Sequence, residues 1–178
     1  SKEYEAVLLL GKTTDTQDKF GKVLTETEVL VSEADVTEAI QSFAGEYDQI
    51  PPMYSALKVN GKKLYELARQ GVEIERQARR VSITEITILE MRLPRVKMRV
   101  SCSKGTYIRT LCHDIGQRLH TGGIMESLLR TLSTRSGFAG RDYSVFQIKF
   151  TTASQISQSA GNPDPAGWSW PHPSTQSS

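Results

Sequence analysis

The chain has 178 residues, of which 38% are hydrophobic and 24% charged, which is enough for one globular domain and too little for a multidomain machine. No stretch contains the roughly 18 consecutive apolar residues of a membrane span, so a membrane-spanning protein is not expected. The first residues do not contain the apolar core of a secretory signal, so a secreted protein is not expected either. The formal net charge is only +2, and the two cysteines exclude a disulfide scaffold, which favours a reducing cytoplasm.

Two strands are predicted at the beginning of the chain. The apolar run in residues 4–12 predicts a strand that ends near Gly11, and residues 13–18 have the Asp and Thr content of a turn. The looser alternation of residues 23–31 predicts the second strand.

A helix and an extended loop follow. Ser32 or Asp35 is a suitable N-cap for this helix, and Gly45 a suitable end. Paired prolines within residues 49–54 predict an extended loop there. Three apolar residues give the helical spacing: Val36, Ile40 and Phe43.

A hairpin, a short helix and two paired strands are predicted in the middle of the chain. The Asn-Gly pair at residues 60–61 is a strong hairpin signal, and residues 62–70 predict a short helix. The β-branched residues of 81–88 predict a strand, with residues 96–103 as its partner.

Two further helices are predicted beyond these strands. Residues 107–119 place their apolar side chains on one face, and residues 125–132 predict a shorter helix, followed by extended structure over 133–138. Together these elements predict an α+β fold with a mixed, mainly antiparallel sheet and flanking helices.

The last part of the chain differs in composition from the rest. Residues 150–178 contain no Lys or Arg, a single acid and four of the seven prolines. Such a segment buries too little apolar area to offset its ordering entropy, so we predict a domain over residues 1–149 and a disordered tail over 150–178. A binding motif around Trp168 and Trp170 is the alternative for the tail.

The charges are distributed unevenly along the chain. Residues 1–57 contain 4 basic and 11 acidic residues, whereas residues 58–109 contain 13 basic and 5 acidic ones. Within residues 95–99 the cations alternate with apolar residues, which predicts a strand that buries one face and presents its cations on the other. Such a face suits a polyanion, most often a nucleic acid, although a solvated cation-rich surface has the same composition.

Neither a metal site nor a hydrolase site is predicted. The Cys and His residues outside the tail lack the spacing of a metal site, so structural cysteines and surface histidines are the better interpretation. The hydrolase motif GxSxG is absent, and no glycine cluster has the spacing of a phosphate loop. The Cys and His residues in question are Cys102, Cys112, His113 and His120.

Three segments resemble the TruB family, the bacterial tRNA pseudouridine-55 synthases. Residues 49–71 (QIPPMYSALKVNGKKLYELARQG) are similar to the signature loop and hairpin of this family, and residues 100–116 (VSCSKGTYIRTLCHDIG) to its second signature. Residues 4–18 resemble its Y…LG…TDT…D segment, and the order and separations also match. The resemblance extends over residues 1–149 and implies a pseudouridine synthase-like fold.

This resemblance implies an isomerase that converts one uridine in the T loop of tRNA to pseudouridine. The family detaches the base, rotates it and re-attaches it through C5. Because no redox or group-transfer step occurs, no cofactor is expected. The implied partner is the T arm of tRNA, without a membrane, and a cytoplasmic monomer is expected.

The resemblance also assigns the site residues. The tyrosine that stacks on the flipped base, and that is the expected base for the C5 proton, falls at Tyr4. A second tyrosine and an arginine fall at Tyr107 and Arg109, and the pocket leucine at Leu129, with a shift to Leu128 left open. Without the resemblance, the same residues would be interpreted as core residues and a surface cation. Four lysines are expected to bind RNA: Lys58, Lys62, Lys63 and Lys104.

One part of the family pattern is absent from the sequence. The nucleophilic Asp of the family lies in a GxLDPxAxG-type motif upstream of the stacking tyrosine, and the sequence contains no such motif. Asp15 and Asp18 are interpreted as turn formers and Asp114 as a helix-surface residue, so Arg109 is expected to lack a carboxylate partner. We therefore expect a catalytic domain without its N-terminal segment. It is either the larger part of an enzyme or, as it stands, an inactive fragment that binds the T arm.

Overall fold

The computed structural model describes residues 1–131, so the predictions for residues 133–138, for the boundary at 149 and for the polar tail lie outside the described residues. None of the three helices in the described part has the length and apolar character needed to cross a membrane. The elements are β1 (Lys2–Leu10), β2 (Lys12–Thr14), β3 (Val23–Glu26), α1 (Glu33–Gln41), β4 (Gly45–Gln49), β5 (Lys58–Val59), β6 (Lys62–Lys63), α2 (Leu64–Arg69), β7 (Arg79–Arg92), β8 (Arg95–Cys102), α3 (Ile108–Arg118) and β9 (Gly123–Thr131).

Five strands form one antiparallel sheet in the order β4-β7-β8-β1-β9. Every second side chain of β1 and β8 points to the same face, which packs against α1 and α3. Burying one such side chain contributes about 1.5–3 kcal/mol. The α+β class and the mainly antiparallel sheet are confirmed. The core residues of these two strands are Tyr4, Ala6, Leu8, Leu10, Val96, Met98, Val100 and Cys102.

The helix predicted after residue 32 is confirmed, but it is shorter than expected. The Ser32 hydroxyl accepts a hydrogen bond from the amide of Asp35 at 3.1 Å and caps α1. The helix ends at Gln41, because Gly45, with φ of +103°, begins strand β4. This strand was not predicted, since most of its residues are exposed and show no apolar alternation.

The Asn-Gly hairpin and the two long strands are confirmed. Asn60 and Gly61 have φ values of 50° and 80°, the left-handed conformations that a type I′ turn requires. The strands predicted over 81–88 and 96–103 are β7 and β8, which pair antiparallel. The strand predicted over residues 23–31 is shorter than expected and ends at residue 26.

The helix predicted over residues 125–132 is wrong, because this segment is strand β9. A register shift between Val7 and Leu8 of β1 puts Met125 and Leu128, three residues apart, on the same face of the sheet, so the apolar spacing imitates that of a helix. Pairing with β1 satisfies the backbone hydrogen bonds of the segment and determines its conformation.

Helix α3, which positions the candidate site, matches its prediction. Tyr107 is its N-cap and Leu119 its C-cap. Gly116 lets the helix backbone approach the beginning of β9, because a Cβ atom at this position would overlap the Gly123 nitrogen. The helix therefore lies directly on the edge strand of the sheet.

Candidate functional site

Arg109, in the first turn of α3, joins two segments that are distant in sequence. Its Nη1 donates to the carbonyl of Thr16 at 3.0 Å, and its Nη2 donates to the carbonyl of Tyr54 at 2.7 Å. The first carbonyl belongs to the turn after β2 and the second to the loop after the paired prolines. A rigid planar group with several donors suits such a bridge.

A carboxylate lies beside Arg109, which corrects the expectation that it lacks one. The Oδ2 atom of Asp18 is 3.9 Å from Nη1 of Arg109, and these side chains are only 2% and 15% exposed. Asp18 also has the predicted turn-forming role, since its Oδ1 accepts from the Thr16 hydroxyl and the Phe20 amide. Its Oδ2 has no hydrogen-bond partner among the described residues. It therefore acts on Arg109 through its charge.

The electrostatics of Arg109 keep a fixed positive charge in this buried place. Burial lowers the pKa of Arg109, and the charges of Asp18 and Tyr107 act in the opposite direction. A guanidinium stays protonated in proteins even so. Such a cation can hold a further anion, either a carboxylate or a phosphate.

Tyr107 is held through its backbone by Gln49, the last residue of β4. The amide of Tyr107 donates to Oε1 of Gln49 at 2.8 Å, and Nε2 of Gln49 donates to the carbonyl of Tyr107 at 3.1 Å. Gln49 is 1% exposed, and its Nε2 also donates to the Tyr47 hydroxyl. The sequence offered no role for Gln49, because its partner is 58 residues away.

Tyr4 lies on the core face of β1. It is 7% exposed and belongs to the same core cluster as Ile108, the first residue of α3. Burial raises the pKa of Tyr4, nearby Cys102 adds to this effect, and Arg130 opposes it. The phenol is therefore protonated at neutral pH.

The register of β9 places Leu128, rather than Leu129, on the side of Tyr4. Ala6, which shares a face with Tyr4, is opposite Leu128, and Leu128 packs against the core. Leu129 is opposite Glu5 and points to the other face of the sheet. The register thus favours Leu128, the alternative left open for the pocket leucine, over Leu129.

The cations of β8 are exposed as predicted, but carboxylates of β1 and β9 neutralise them. Lys97 and Arg99 lie 3.7 Å and 2.9 Å from the carboxylate of Glu5 on β1. Arg95 lies 2.9 Å from the carboxylate of Glu126 on β9. This ion pairing contradicts the prediction of a basic, backbone-binding face at β8.

The lysines of the β5–β6 hairpin keep their charges available. Lys58 and Lys62 are exposed and form no ion pair within residues 1–131. Lys63 donates to the Tyr65 hydroxyl at 3.2 Å and lies 5.4 Å from the centroid of that ring. Lys104 is exposed in the loop before α3 and is also unpaired in the described part of the chain.

A groove of about 450 Å³ opens beside the Arg109 junction. One wall contains residues of the turn after β2, and the other contains residues 52–54. The walls are therefore the two segments whose carbonyls Arg109 holds. His113 of α3 also lines the groove, where burial lowers its pKa.

Two residues predicted to lie on the surface of α3 are partly buried. Burial raises the pKa of Asp114 to about 6, and a hydrogen bond from Tyr47 opposes this effect. The Nδ1 atom of His113 is buried without a hydrogen-bond partner among the described residues. The predicted structural cysteines Cys102 and Cys112 are buried and free. No cluster of three or more metal-ligating side chains occurs within residues 1–131.

Comparison with protein families identifies relatives of this chain. Residues 1–108 match the family described as TruB family pseudouridylate synthase, N-terminal domain. Over 132 residues the chain is 56% identical to tRNA pseudouridine synthase B of Clostridium acetobutylicum, which covers 74% of the chain and 46% of that protein. Over 133 residues it is 58% identical to tRNA pseudouridine synthase B of Alkaliphilus oremlandii, covering 75% and 44%. The chain spans about half the length of these relatives.

Among solved structures, the chain is similar to one in the crystal structure of a Cbf5-Nop10-Gar1 complex. The TM-score is 0.51 and the sequence identity 30%, over 74% of this chain and 30% of that chain. The architecture and the family match therefore agree.

Proposed function

The chain belongs to the TruB family of pseudouridylate synthases, and from this membership we propose that it acts as a tRNA pseudouridine synthase. Its substrate is uridine-55 in the T loop, and its partner is the T arm of tRNA. The activity is cytoplasmic and requires neither a membrane nor a second subunit. The relatives named tRNA pseudouridine synthase B support this substrate class.

The observation that carries the proposal is the convergence of the three family-like segments at Arg109. The turn after β2 belongs to the first segment, the loop containing Tyr54 to the second, and Arg109 itself to the third. Two hydrogen bonds and one ion pair join them. A titratable group that is perturbed by burial and by a specific charged partner, beside a groove, marks a candidate functional site.

The proposed reaction breaks the N1–C1′ glycosidic bond of uridine and forms a C5–C1′ bond. The proton on C5 is lost to solvent, and N1 takes one up. An extruded base loses its stacking partners, and an aromatic ring replaces part of that energy, at about 1–3 kcal/mol per base. Tyr4 is the residue that we assign to this stacking.

Tyr4 is also the proposed acceptor of the C5 proton. Its raised pKa keeps the phenol protonated at neutral pH, so its own proton must first pass to solvent, and the resulting phenolate then takes the proton from C5. The positive charge of Arg130 favours the ionised form. Arg109 has the charge and burial to hold the nucleophilic carboxylate of the family, while Tyr107 and Leu128 line the base pocket.

The hairpin lysines and Lys104 are the proposed contacts to the RNA backbone. Three of these four lysines are exposed and Lys63 is partly buried, and none forms an ion pair in the described part of the chain, unlike the cations of β8. A protein that neutralises phosphates releases counterions, so the affinity should fall steeply with salt.

The test is tritium release from tRNA labelled at C5 of uridine-55, with the full chain as the enzyme. Release of one tritium per tRNA is expected if the chain isomerises this uridine. A tRNA with cytidine at this position is the control and should give no release. Absence of release from the uridine substrate would contradict the proposed activity.

A second candidate function is binding of T-arm RNA without isomerisation. It is favoured by the absence of a GxLDPxAxG motif from the 178 residues. Specific, salt-dependent binding of a T-arm hairpin without tritium release would support this function over the first.

A further inference from the structure

We propose that Gln49 is a positioning residue for the isomerisation, because its buried side-chain amide holds the backbone of Tyr107 and thereby the first turn of α3. The inference rests on the proposed function. Gln49 does not contact the substrate in this proposal; it acts through Tyr107, which lines the base pocket, and through Arg109, which holds the carboxylate.

The side chain of Gln49 pairs with both backbone groups of Tyr107. The Tyr107 amide donates to Oε1 at 2.8 Å, and Nε2 donates to the Tyr107 carbonyl at 3.1 Å. The same carbonyl accepts the first helical hydrogen bond of α3, from the amide of Leu111 at 3.0 Å. A neighbouring β-strand would pair with the N–H and C=O of a residue in the same way. The Gln49 side chain therefore continues the hydrogen bonding of β4 to Tyr107, the residue before α3.

A second layer of contacts fixes the orientation of the Gln49 amide. Its other Nε2 hydrogen is donated to the hydroxyl of Tyr47, two residues earlier on β4. The Tyr47 hydroxyl also interacts electrostatically with the Asp114 carboxylate, and its ring packs against Phe43 with centroids 5.2 Å apart. A flipped amide would place Nε2 against the amide of Tyr107, so only one orientation satisfies all partners.

The beginning of α3 needs this external support. Tyr107 makes no side-chain cap hydrogen bond of its own, and the loop before it contains the exposed Lys104 and Gly105. Gln49 provides a fully buried anchor at this point. Arg109 follows two residues later, and its bridge to Thr16 and Tyr54 requires the first helical turn to stay in place. Displacing a positioned group by about 1 Å can cost on the order of 100-fold in rate.

The experiment compares Gln49→Glu and Gln49→Met in the full chain, with tritium release as the readout of kcat and KM. Hydrogen exchange of the Tyr107 amide measures the backbone pairing directly. Gln41→Glu is the matched control, because Nε2 of Gln41 also donates to a sheet carbonyl, that of Ile86, at 3.2 Å. The control should retain wild-type turnover.

For both Gln49 variants we expect kcat to fall about 10- to 100-fold with KM within about threefold, together with faster exchange of the Tyr107 amide. Gln49→Glu should also make kcat depend on pH in a way that would not be expected if the Gln49 side chain only occupied space. The introduced carboxyl faces the Tyr47 hydroxyl, on which the Asp114 carboxylate also acts, and the Tyr107 backbone. It can donate to the Tyr107 carbonyl only when it is protonated. Its kcat relative to wild type should therefore rise as the pH falls, whereas that of Gln49→Met should not.

The outcomes separate this inference from the proposed function. An active wild type with unchanged kcat in a folded Gln49→Glu variant overturns the positioning role and leaves the function standing. A kcat loss that does not depend on pH in Gln49→Glu also overturns it. An inactive wild type overturns the proposed function, and the inference with it.

Discussion

Asp18 and Arg109 illustrate how much a single buried residue contributes to this site. Each has a role in local structure that its sequence context suggests, a turn for Asp18 and a helix start for Arg109. Their proximity, 3.9 Å between Oδ2 and Nη1, depends on the packing of β2, the Tyr54 loop and α3. A spacing of 91 residues carries no signal for this pairing. The family-like motif located Arg109, and only the fold located its carboxylate neighbour.

Replacing the buried carboxylate should therefore cost more than losing a turn. We expect Asp18→Asn to lower the free energy of unfolding by about 1–3 kcal/mol, because a neutral amide leaves the Arg109 charge without its neighbour. Denaturant unfolding measures the loss. Asp15→Asn is the control, since Asp15 is exposed in the same turn and accepts from the Lys22 amide. Equal losses in both variants would show that Asp18 acts only as a turn former.

Asp114 gives the chain a pH-dependent stability of a definite sign. Burial raises its pKa to about 6, above the ordinary value of 3.8, so the folded state holds the proton more tightly than the unfolded state. The contribution is fully present below about pH 4 and is lost as the pH rises to about 6. The free energy of unfolding of Asp114→Asn relative to that of wild type should therefore increase by about 1 kcal/mol as the pH rises from 4 to 7. This value is reduced because the carboxyl is partly solvated. A stability difference that stays constant over this range would contradict the raised pKa.

The β5–β6 hairpin and β8 show why the composition of the chain does not locate its basic surface. Both segments contain clustered cations, but the cations of β8 pair with carboxylates of β1 and β9, whereas the hairpin forms a separate two-stranded unit. Sheet order therefore decides which cations remain available to an anion. This order was not predictable from local patterns.

The hairpin is expected to contribute most of the salt dependence of RNA binding. Replacing its three lysines by glutamine should weaken binding of a T-arm hairpin and reduce the slope of log affinity against log salt, by about one unit for each phosphate that is no longer neutralised. Fluorescence anisotropy at several salt concentrations gives this slope. The lysines are Lys58, Lys62 and Lys63.

The β8 cations provide the control for this measurement. Replacing Arg95, Lys97 and Arg99 by glutamine should change the slope much less, because these cations are already paired with carboxylates. A larger effect at β8 than at the hairpin would remove the hairpin from the RNA-binding surface.

Elements with strong local signals were predicted, and those defined by pairing were not. β1 and α3 show clear periodicity, and the Asn-Gly turn has a specific backbone requirement, so these predictions are confirmed. Most residues of β4 are exposed, so its sequence does not alternate between apolar and polar residues. The bulge in β9 gives its apolar residues a helical spacing. In both cases hydrogen bonding to a neighbouring strand determines the structure.

At the scale of the whole molecule, the sheet brings the acidic first part of the chain alongside its basic middle. β1 carries Glu5, and β8 beside it carries Lys97 and Arg99, so the opposite charges neutralise each other across the strands. This arrangement also places Tyr4 on the strand between β8 and β9, and Arg109 on the helix that packs on the same face of the sheet. The outer face is therefore electrostatically balanced, while the site lies at the end where α3 begins.

The position of α3 on the sheet depends on Gly116. A Cβ atom at Gly116 would overlap the nitrogen of Gly123 and the carbonyl carbon of Gly122. Both are backbone atoms that cannot rotate away, so Gly116→Ala must displace the helix from β9. We expect a loss of more than about 3 kcal/mol in the free energy of unfolding, together with abolished tritium release, because overpacking a core contact costs at least about 1–3 kcal/mol and here also moves the helix that carries Arg109.

Gly45→Ala is the control for this clash, because its effect on the free energy of unfolding comes only from the positive φ of the backbone. Gly45 has φ of +103°, but a Cβ atom there meets nothing within 4 Å, so only the cost of a left-handed conformation applies, about 1–2 kcal/mol. Thermal or denaturant unfolding of the two variants measures the difference. If Gly116→Ala is no less stable than Gly45→Ala and retains turnover, α3 does not rest on β9 as closely as described. The arrangement that brings Arg109 to Thr16 and Tyr54 would then need a different explanation.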